Sequence, residues 1–539
     1  MEPQPWRRDP SAANASVIRG LGTNESYQIA LQNLDQMRGN ILTCRYKVPM
    51  RLVPHGMRHD LIETFERAVA RVVLKHPLMH VGLVGEDTDM PCWVRLGSLN
   101  LRQHIEWRIL RGDSSHFQKV FLATCYEQLD TKFTNFLNVP GWKIKVLRQE
   151  GADFIEVLLI LNHTNMDGNS AKTVHRDLLQ SLHDDPHTPK DDLLRDHIIT
   201  LPESSTARLS PPAENLVGFP VETGLMIKFL QEEVRTPAAR YPKRKTGAHW
   251  APIKAAPFKT QFRTITIPNN VLSELVKSCR HHKTTLTGLL HALTLVSLAP
   301  LLEPSNAAGF ECLTAMDLRR FLPSHHPSYP WLVPSRAMSN YVTIVDHILD
   351  ENLVARIRSK TSPYSPDGFQ SGVLMDTMWS AARKVRRDIE AKLDQGLNND
   401  MVGFWRIIGD WRAQLSEEAR RPRRTSWVIT NLGLIDDSPS STSSSPYAAQ
   451  SAKPDSDSNW SITRTQFIMC ANVVSSAIGI STATLKGGDL IVTCTWQDCV
   501  IDVNLGEAFV ANLERWLKFT ARYRDGWPAS GHGSAFRPP

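Results

Sequence analysis

From Val157 to Leu161 the chain runs Val-Leu-Leu-Ile-Leu without a polar break, which predicts a strand buried on both faces. Beyond it, from Ser170 to His183, the apolar residues Val174, Leu178 and Leu182 recur every fourth position, the stripe of one helical face. Two earlier stretches have the same period. Glu25 to Met37 places Tyr27, Leu31 and Leu34 on one side, and Arg58 to Lys75 does so with Leu61, Phe65, Val69, Val72 and Val73. The second helix must stop at His76-Pro77, because proline disfavours helical geometry in the residue before it. Pro140 to Leu147 reads as a strand leading back towards the apolar run. Later, Gln261 to Ile267 alternates polar and apolar residues, the period of a half-buried strand. Pro268-Asn269-Asn270 then caps a helix to about Cys279. Thr284 to Leu302 carries no formal charge and is long enough for a bilayer. It also holds Gly288, His291, Pro300 and several threonines, the make-up of a helix buried in a large soluble core, with His291 a core histidine. Met375 to Leu393, with Trp379, Ala382, Val385 and Ile389, predicts a long amphipathic helix. Phe467 to Ile480 and Asp489 to Trp496 are further strand candidates. Glu507 to Tyr523 closes the chain as a helix that docks through Val510, Leu513 and Leu517.

Between these elements, Leu201 to Ala213 and Arg235 to Pro257 are rich in Pro, Ser and basic residues and show little periodicity, the composition of linker. Ser438 to Ser458 is of low complexity and is expected to be a disordered surface loop. A chain of 539 residues is too long for one ordinary core. The expected division is an N-terminal half at 1–200, a linker and crossing segment at 201–260, and a C-terminal half at 261–539 with the disordered loop at 438–459.

Composition and charge exclude more than they select. With 41% apolar and 22% charged residues the chain is globular. A net charge of +7 spread over this length, without a recognisable motif, gives no ground for nucleic-acid binding. The short basic runs Lys243-Arg244-Lys245 and Arg420-Arg421-Pro422-Arg423-Arg424 read as solvated loops, the second having contact with nucleotide phosphates as its alternative. Eight cysteines, at 44, 92, 125, 279, 312, 470, 494 and 499, are scattered without a C-x-x-C pair or a histidine ligand pattern. They read as buried reduced thiols, so neither a disulfide frame nor a metal is expected. Met1 to Ser16 lacks the apolar core of a signal peptide, which makes the cytoplasm the expected compartment. Peripheral association with endoplasmic reticulum or lipid droplets, through the last helix, is an open alternative.

Candidate chemistry gathers where the apolar strand ends, at Asn162-His163-Thr164-Asn165-Met166-Asp167-Gly168. A core histidine beside a helix-capping aspartate would give the same letters, so the spacing alone decides nothing. The pattern His-x-x-x-Asp-Gly resembles the acyl-transfer motif of the chloramphenicol acetyltransferase-like superfamily, which includes peptide-synthetase condensation domains and fungal alcohol acetyltransferases. Thr314 to Pro323, with Asp317-Leu318-Arg319-Arg320, resembles the strand whose arginine pairs with the motif aspartate in that superfamily. The resemblance implies Arg319 as the partner of Asp167. Arg320 is the alternative if the register differs by one, since neighbouring strand residues face opposite ways. Ser339-Asn340-Tyr341-Val342 matches the family strand that follows. Trp427 to Gly433 is similar to the Ser-Asn-Leu-Gly element near the cleft of fungal alcohol acetyltransferases, with Thr430 in the serine position. Lys75 to Met79 is similar to a helix end in these folds, so His76 is read as a helix C-terminal cation and not as a catalytic group.

The resemblance implies an α/β fold of two chloramphenicol acetyltransferase-like halves with mixed sheets, forming a V around a central channel. It also implies a coenzyme A-dependent O-acyltransferase that takes acetyl-CoA (or another acyl-CoA) and a small alcohol or hydroxylated secondary metabolite. The protein is expected to act as a monomer. His163 would be the general base and Asp167 a structural group that orients it. Gly168 would permit a sharp turn, and Thr430 or Asn431 would contact the oxyanion or acyl donor. Two departures narrow the reading. Condensation domains carry two successive histidines, and Asn162 in place of the first points away from peptide synthesis. The Asp-Phe-Gly-Trp-Gly motif of plant acyltransferases is absent, and Asp525-Gly526-Trp527-Pro528 only imitates it. The alternatives are a condensation-type amine or carrier-protein acyltransferase, and a catalytically silent acyl-binding scaffold.

Overall fold

The computed structural model describes residues 16–184, 194–361, 371–435 and 459–523, so the Ser438–Ser458 stretch lies outside the described residues. The apolar run falls in a strand, Phe154–Leu161, whose residues from Ile155 onward are all buried. Its position explains the lack of alternation. It is the middle strand of a five-stranded sheet, antiparallel to Asn40–Lys47 on one side and to Trp142–Gln149 on the other. Ile105–Leu110 adds in parallel beyond Trp142–Gln149. Helices Arg58–Lys75, Ser114–Asp130 and Gly168–Asp184 pack Leu61, Phe65, Phe121, Val174, Leu178 and Leu182 into the core of this sheet.

A second, six-stranded sheet runs in the order Thr260–Ile267, Leu490–Gln497, Ile478–Leu485, Trp427–Ile435, Phe310–Asp317, Val342–Leu349. Trp427–Ile435 is parallel to both its neighbours and the remaining pairs are antiparallel. Both sheets are therefore mixed, and the fold is α/β as expected. Leu286–Leu298 is buried from Gly288 to Leu298 and forms the centre of the second core, with His291 fully enclosed. The closing helix, Val503–Arg522, docks there through Phe509, Leu513, Trp516 and Leu517. Among the described residues no single helix is long and apolar enough to cross a membrane; Asn269–His281 and Leu286–Leu301 meet at 96°. All eight cysteines are free, and six of them are buried.

The two sheets are interlocked. Ser461–Ile468, late in the chain, closes the edge of the first sheet by pairing antiparallel with Asn40–Lys47. Leu432 and Ile435, from a strand of the second sheet, pack into the first core. Within 201–260, Ala213, Leu216 and Phe219 pack with Leu318, Leu322, Tyr341 and Val402. One expected strand divides: Phe467 to Ile480 is the end of one strand, a turn, and the start of Ile478–Leu485. The break lies at Asn472, whose Oδ1 accepts from the backbone N–H groups of Val474 and Ser475, a side-chain turn that competes with the ladder.

Candidate active site

His163 follows the buried strand directly, and its two neighbours turn inward. Asn162 is buried; its Oδ1 accepts from Thr164 N at 2.8 Å and its Nδ2 donates to Gln32 Oε1 at 3.1 Å. The residue in the place of a condensation domain's first histidine is thus a turn-builder. The His163 ring lines a cavity of about 820 Å³. Nδ1 is buried without a partner at full hydrogen-bond geometry, and the backbone group that acts on the ring is the histidine's own carbonyl. Nδ1 as the protonated nitrogen leaves the lone pair on Nε2 for the cavity. Burial holds the ring below its ordinary value of 6.5, while the Asp167 charge and the carbonyl act the other way. The balance favours the neutral imidazole, the form that can accept a proton. That same carbonyl accepts from Asn340 Nδ2 at 2.9 Å, which ties the histidine backbone to the segment leading into Val342–Leu349.

Asp167 has two tasks at once. It caps the helix Gly168–Asp184, its Oδ1 accepting from Ser170 N at 2.8 Å. It also forms a bidentate pair with Arg319, NH1 to Oδ2 at 2.6 Å and NH2 to Oδ1 at 3.1 Å, and Tyr341 N donates to Oδ2 at 3.0 Å. Burial alone would raise the Asp167 pKa, but Arg319, Ser170 and Tyr341 together hold it below the usual carboxylate range. No hydrogen bond joins Asp167 to the His163 ring among the described residues. Arg319 stands outside the strand in which it was expected. Phe310–Asp317 ends where the Asp317 side chain accepts from Arg319 N, and Leu318–Phe321 is a tight 3-10 turn. The alternation rule therefore does not choose between the arginines; the turn buries Arg319 and leaves Arg320 exposed.

Gly168 makes no left-handed turn; what its missing side chain leaves is room for Leu432. A Cβ there would lie 2.4 Å from Leu432 Cδ2. Leu432 is pressed onto the motif, and Lys172 Nζ donates to its carbonyl at 2.6 Å. The preceding residues separate accordingly. Thr430 lines the cavity. Asn431 instead spends its Nδ2 on Thr287 Oγ1 and its Oδ1 on Gly433 N, at a bulge where Gly433 has φ +67°.

An alcohol acetyltransferase family model matches residues 121–345, which hold His163, Asp167, Gly168, Arg319 and Asn340. Over 93% of its length the chain is 28% identical to "Probable alcohol acetyltransferase FCK4" of Fusarium pseudograminearum, covering 95% of that protein. Over 89% it is 24% identical to "Probable alcohol acetyltransferase crmB" of Aspergillus fumigatus, again covering 95%. Both the matched region and the longer alignments make this chain similar to alcohol acetyltransferases. Its fold is that of the trichothecene 15-O-acetyltransferase TRI3 from Fusarium sporotrichioides, at TM-score 0.65 and 13% identity over 94% of this chain and 95% of that one. The condensation domain of the monacolin K polyketide synthase MokA shares it at TM-score 0.53 and 11% identity, over 94% and 98%.

Against this family background, several residues that sequence reasoning passed over hold the site together. Ser170 lies within hydrogen-bond distance of Asp167, Arg319 and Ser339; its spacing three after the aspartate is a capping signal that could have exposed it. Asn340 and Lys172 carried no such signal, since their partners are backbone carbonyls far along the chain. In the basic run 420–424 Arg420 is exposed, but Arg421 and Arg423 are buried. Arg423 is 2% exposed and donates to Ala251 O at 2.7 Å; Arg421 donates to Glu233 O and Thr236 O. Charge in a loop reads as solvent-facing unless the buried acceptors that answer it are known. His76 is the C-cap of its helix and shares a hydrogen bond with Asp177 at 2.8 Å, and neither residue lines the cavity.

Proposed function

We propose that the protein transfers an acetyl group from acetyl-CoA to the hydroxyl of an alcohol or hydroxylated secondary metabolite, with His163 as general base. The observation that carries this reading is His163 at the cavity wall, with Nδ1 buried and burial acting against the charged ring. An alcohol becomes a competent nucleophile when a positioned base takes its proton as the bond forms. His163 Nε2 accepts that proton while the hydroxyl oxygen attacks the thioester carbonyl. The tetrahedral oxyanion then collapses, the carbon–sulfur bond breaks, and the imidazolium returns its proton to the departing thiolate. No acyl-enzyme is needed.

Asp167 and Arg319 act through structure. Their pair fixes the start of the motif helix, and with it the turn that carries His163. Of the two residues that the motif resemblance offers as oxyanion donor, Thr430 lines the cavity and is favoured; Asn431 is committed elsewhere. Among the described residues no Walker-type glycine loop offers a phosphate cradle, so the nucleotide end of coenzyme A falls to individual Lys, Arg and backbone donors. Two features disfavour condensation-type chemistry and a silent scaffold: Asn162 is bonded within the turn and does not line the cavity, and the base is intact. The test is incubation with acetyl-CoA and a panel of alcohols, read by mass spectrometry. An acetyl ester should form, and His163→Ala should slow its formation by roughly 10²–10⁴-fold. An ester formed at the same rate by both proteins would refute the assignment.

A further inference from the structure

One wall of the cavity carries a carboxyl group that the acyl-transfer chemistry does not use. Glu418 ends the helix Trp411–Glu418 and lines the cavity together with Tyr27 and Trp405. The two rings lie 4.5 Å apart and are backed by Trp411, at 4.9 Å from Tyr27 and 5.0 Å from Trp405. Trp411 and Glu418 are two helical turns apart, so the helix presents both on one face. Glu418 lies near enough to Tyr27 that its charge, after burial, helps to hold the phenol proton in place.

The neighbouring charges are already matched. Arg244 pairs with Glu233 at 3.3 Å and approaches Glu311 at 3.9 Å. Arg424 pairs with Glu311 and with Asp346. Arg421 is held by the Glu233 and Thr236 carbonyls and lies 3.9 Å from the Glu233 carboxylate. Asp388 has Lys384 and His347. Glu418 is the lining carboxyl that forms no ion pair among the described residues; its hydrogen bond is from Gln414 Nε2 at 2.9 Å. Burial raises its pKa against the pull of Gln414 and of Arg421 and Arg424, neither of which is in ion-pair contact with it.

A second unmet acceptor lies on the same wall. Asn24, one helical turn before Tyr27 and 8% exposed, lines the cavity with Oδ1 buried and unpartnered. Its orientation is fixed, because Nδ2 donates to the carbonyls of Asn340 and Val342. A wall of acceptors and π faces calls for an occupant that donates and is cationic. A cavity of about 820 Å³ also has room for far more than a short-chain alcohol.

We propose that the acceptor alcohol carries a basic nitrogen, seated as its cation against Glu418 and the Tyr27 and Trp405 rings while the hydroxyl reaches His163. The hydroxyl end of this proposal rests on the O-acetyltransferase reading; the cation site does not. The probes are para-(dimethylaminomethyl)benzyl alcohol, whose tertiary amine cannot form a stable amide, and its neutral isostere para-isobutylbenzyl alcohol. With saturating acetyl-CoA the protein should favour the amine probe in kcat/KM. Glu418→Gln should lower the ratio of the two kcat/KM values by roughly 30-fold, through KM of the amine probe, as when a buried charge loses its partner. Glu418→Asp should restore part of it. The proposal is overturned if the protein shows no preference, or if Glu418→Gln moves both probes alike. Calorimetric binding of the amine probe gives an independent reading. Glu418-dependent binding without acetylation of either probe supports the cation site and counts against the reaction; absent or Glu418-independent binding removes the site.

Discussion

Replacing Asp167 with asparagine exchanges one oxygen for an NH2 group, and the geometry leaves that group nowhere to point. Oδ1 accepts N–H donors from Ser170 at 2.8 Å and Arg319 at 3.1 Å; Oδ2 accepts them from Arg319 at 2.6 Å and Tyr341 at 3.0 Å. Either flip of the amide sets donor against donors. It also leaves the Arg319 guanidinium, with its side chain 5% exposed, without its main counter-charge. Stranding one partner of a buried pair costs about 3–5 kcal/mol. The lower end, about 3 kcal/mol, applies here, because Arg319 keeps Asp317 at 3.0 Å and the Ala337 carbonyl. Urea titration of Asp167→Asn and Arg319→Met should each show a loss of about that size. The double variant should fall short of their sum by about 2 kcal/mol, since it leaves neither charge of the pair stranded, and Asp317 is part-exposed and keeps Asn169. The acetylation rate should drop in the single variants as the turn carrying His163 loosens. Strictly additive losses, or an Asp167→Asn cost below about 1 kcal/mol, would show that the pair does not hold the motif.

Two further outcomes follow from the same geometry. Thr430→Val should lower kcat by about 10²-fold or more, the usual value of one oxyanion donor, whereas Asn431→Ala should act on stability, by about 1 kcal/mol; a larger kcat loss at Asn431 would reverse the assignment. As pH falls, kcat/KM should hold level past 6.5 and decline through a lower value, since burial lowers the His163 pKa and only the neutral ring is a base. The limb should have the slope of one proton, because Asp167, held below 3.8, stays ionised throughout; an inflection above 6.5 would exclude His163 as that base.

Much of the fold was legible in the sequence because its signals are local. The unbroken run at 157–161 marked a strand buried on both sides, and the fourfold recurrence after Ser170 marked the helix it feeds. Reading failed where a side chain overrode the pattern. Asn472 turns the backbone inside an apolar stretch, and Asp317 stops a strand two residues before Arg319. The interlocking of the sheets left no local trace. Nothing in Ser461–Ile468 says that its partner is Asn40–Lys47, more than four hundred residues earlier.

The site divides along the same line. His163, Asp167 and Gly168 are legible together because strand, base and cap are neighbours. What aims them comes from elsewhere: Arg319, Asn340 and the Leu432 carbonyl reach the motif across 152, 177 and 260 residues. All three belong to the strands of the second sheet or the segments joining them, while the strand that leads to His163, Phe154–Leu161, belongs to the first. A base set by one sheet and gripped from the other has its geometry only when both cores are formed. That is why Gly168 matters through the leucine it admits rather than the turn it makes. It is also why Asn431, one of the two residues that the motif resemblance offered as a contact to the oxyanion or acyl donor, does its work at the bulge that lays Leu432 against the helix start.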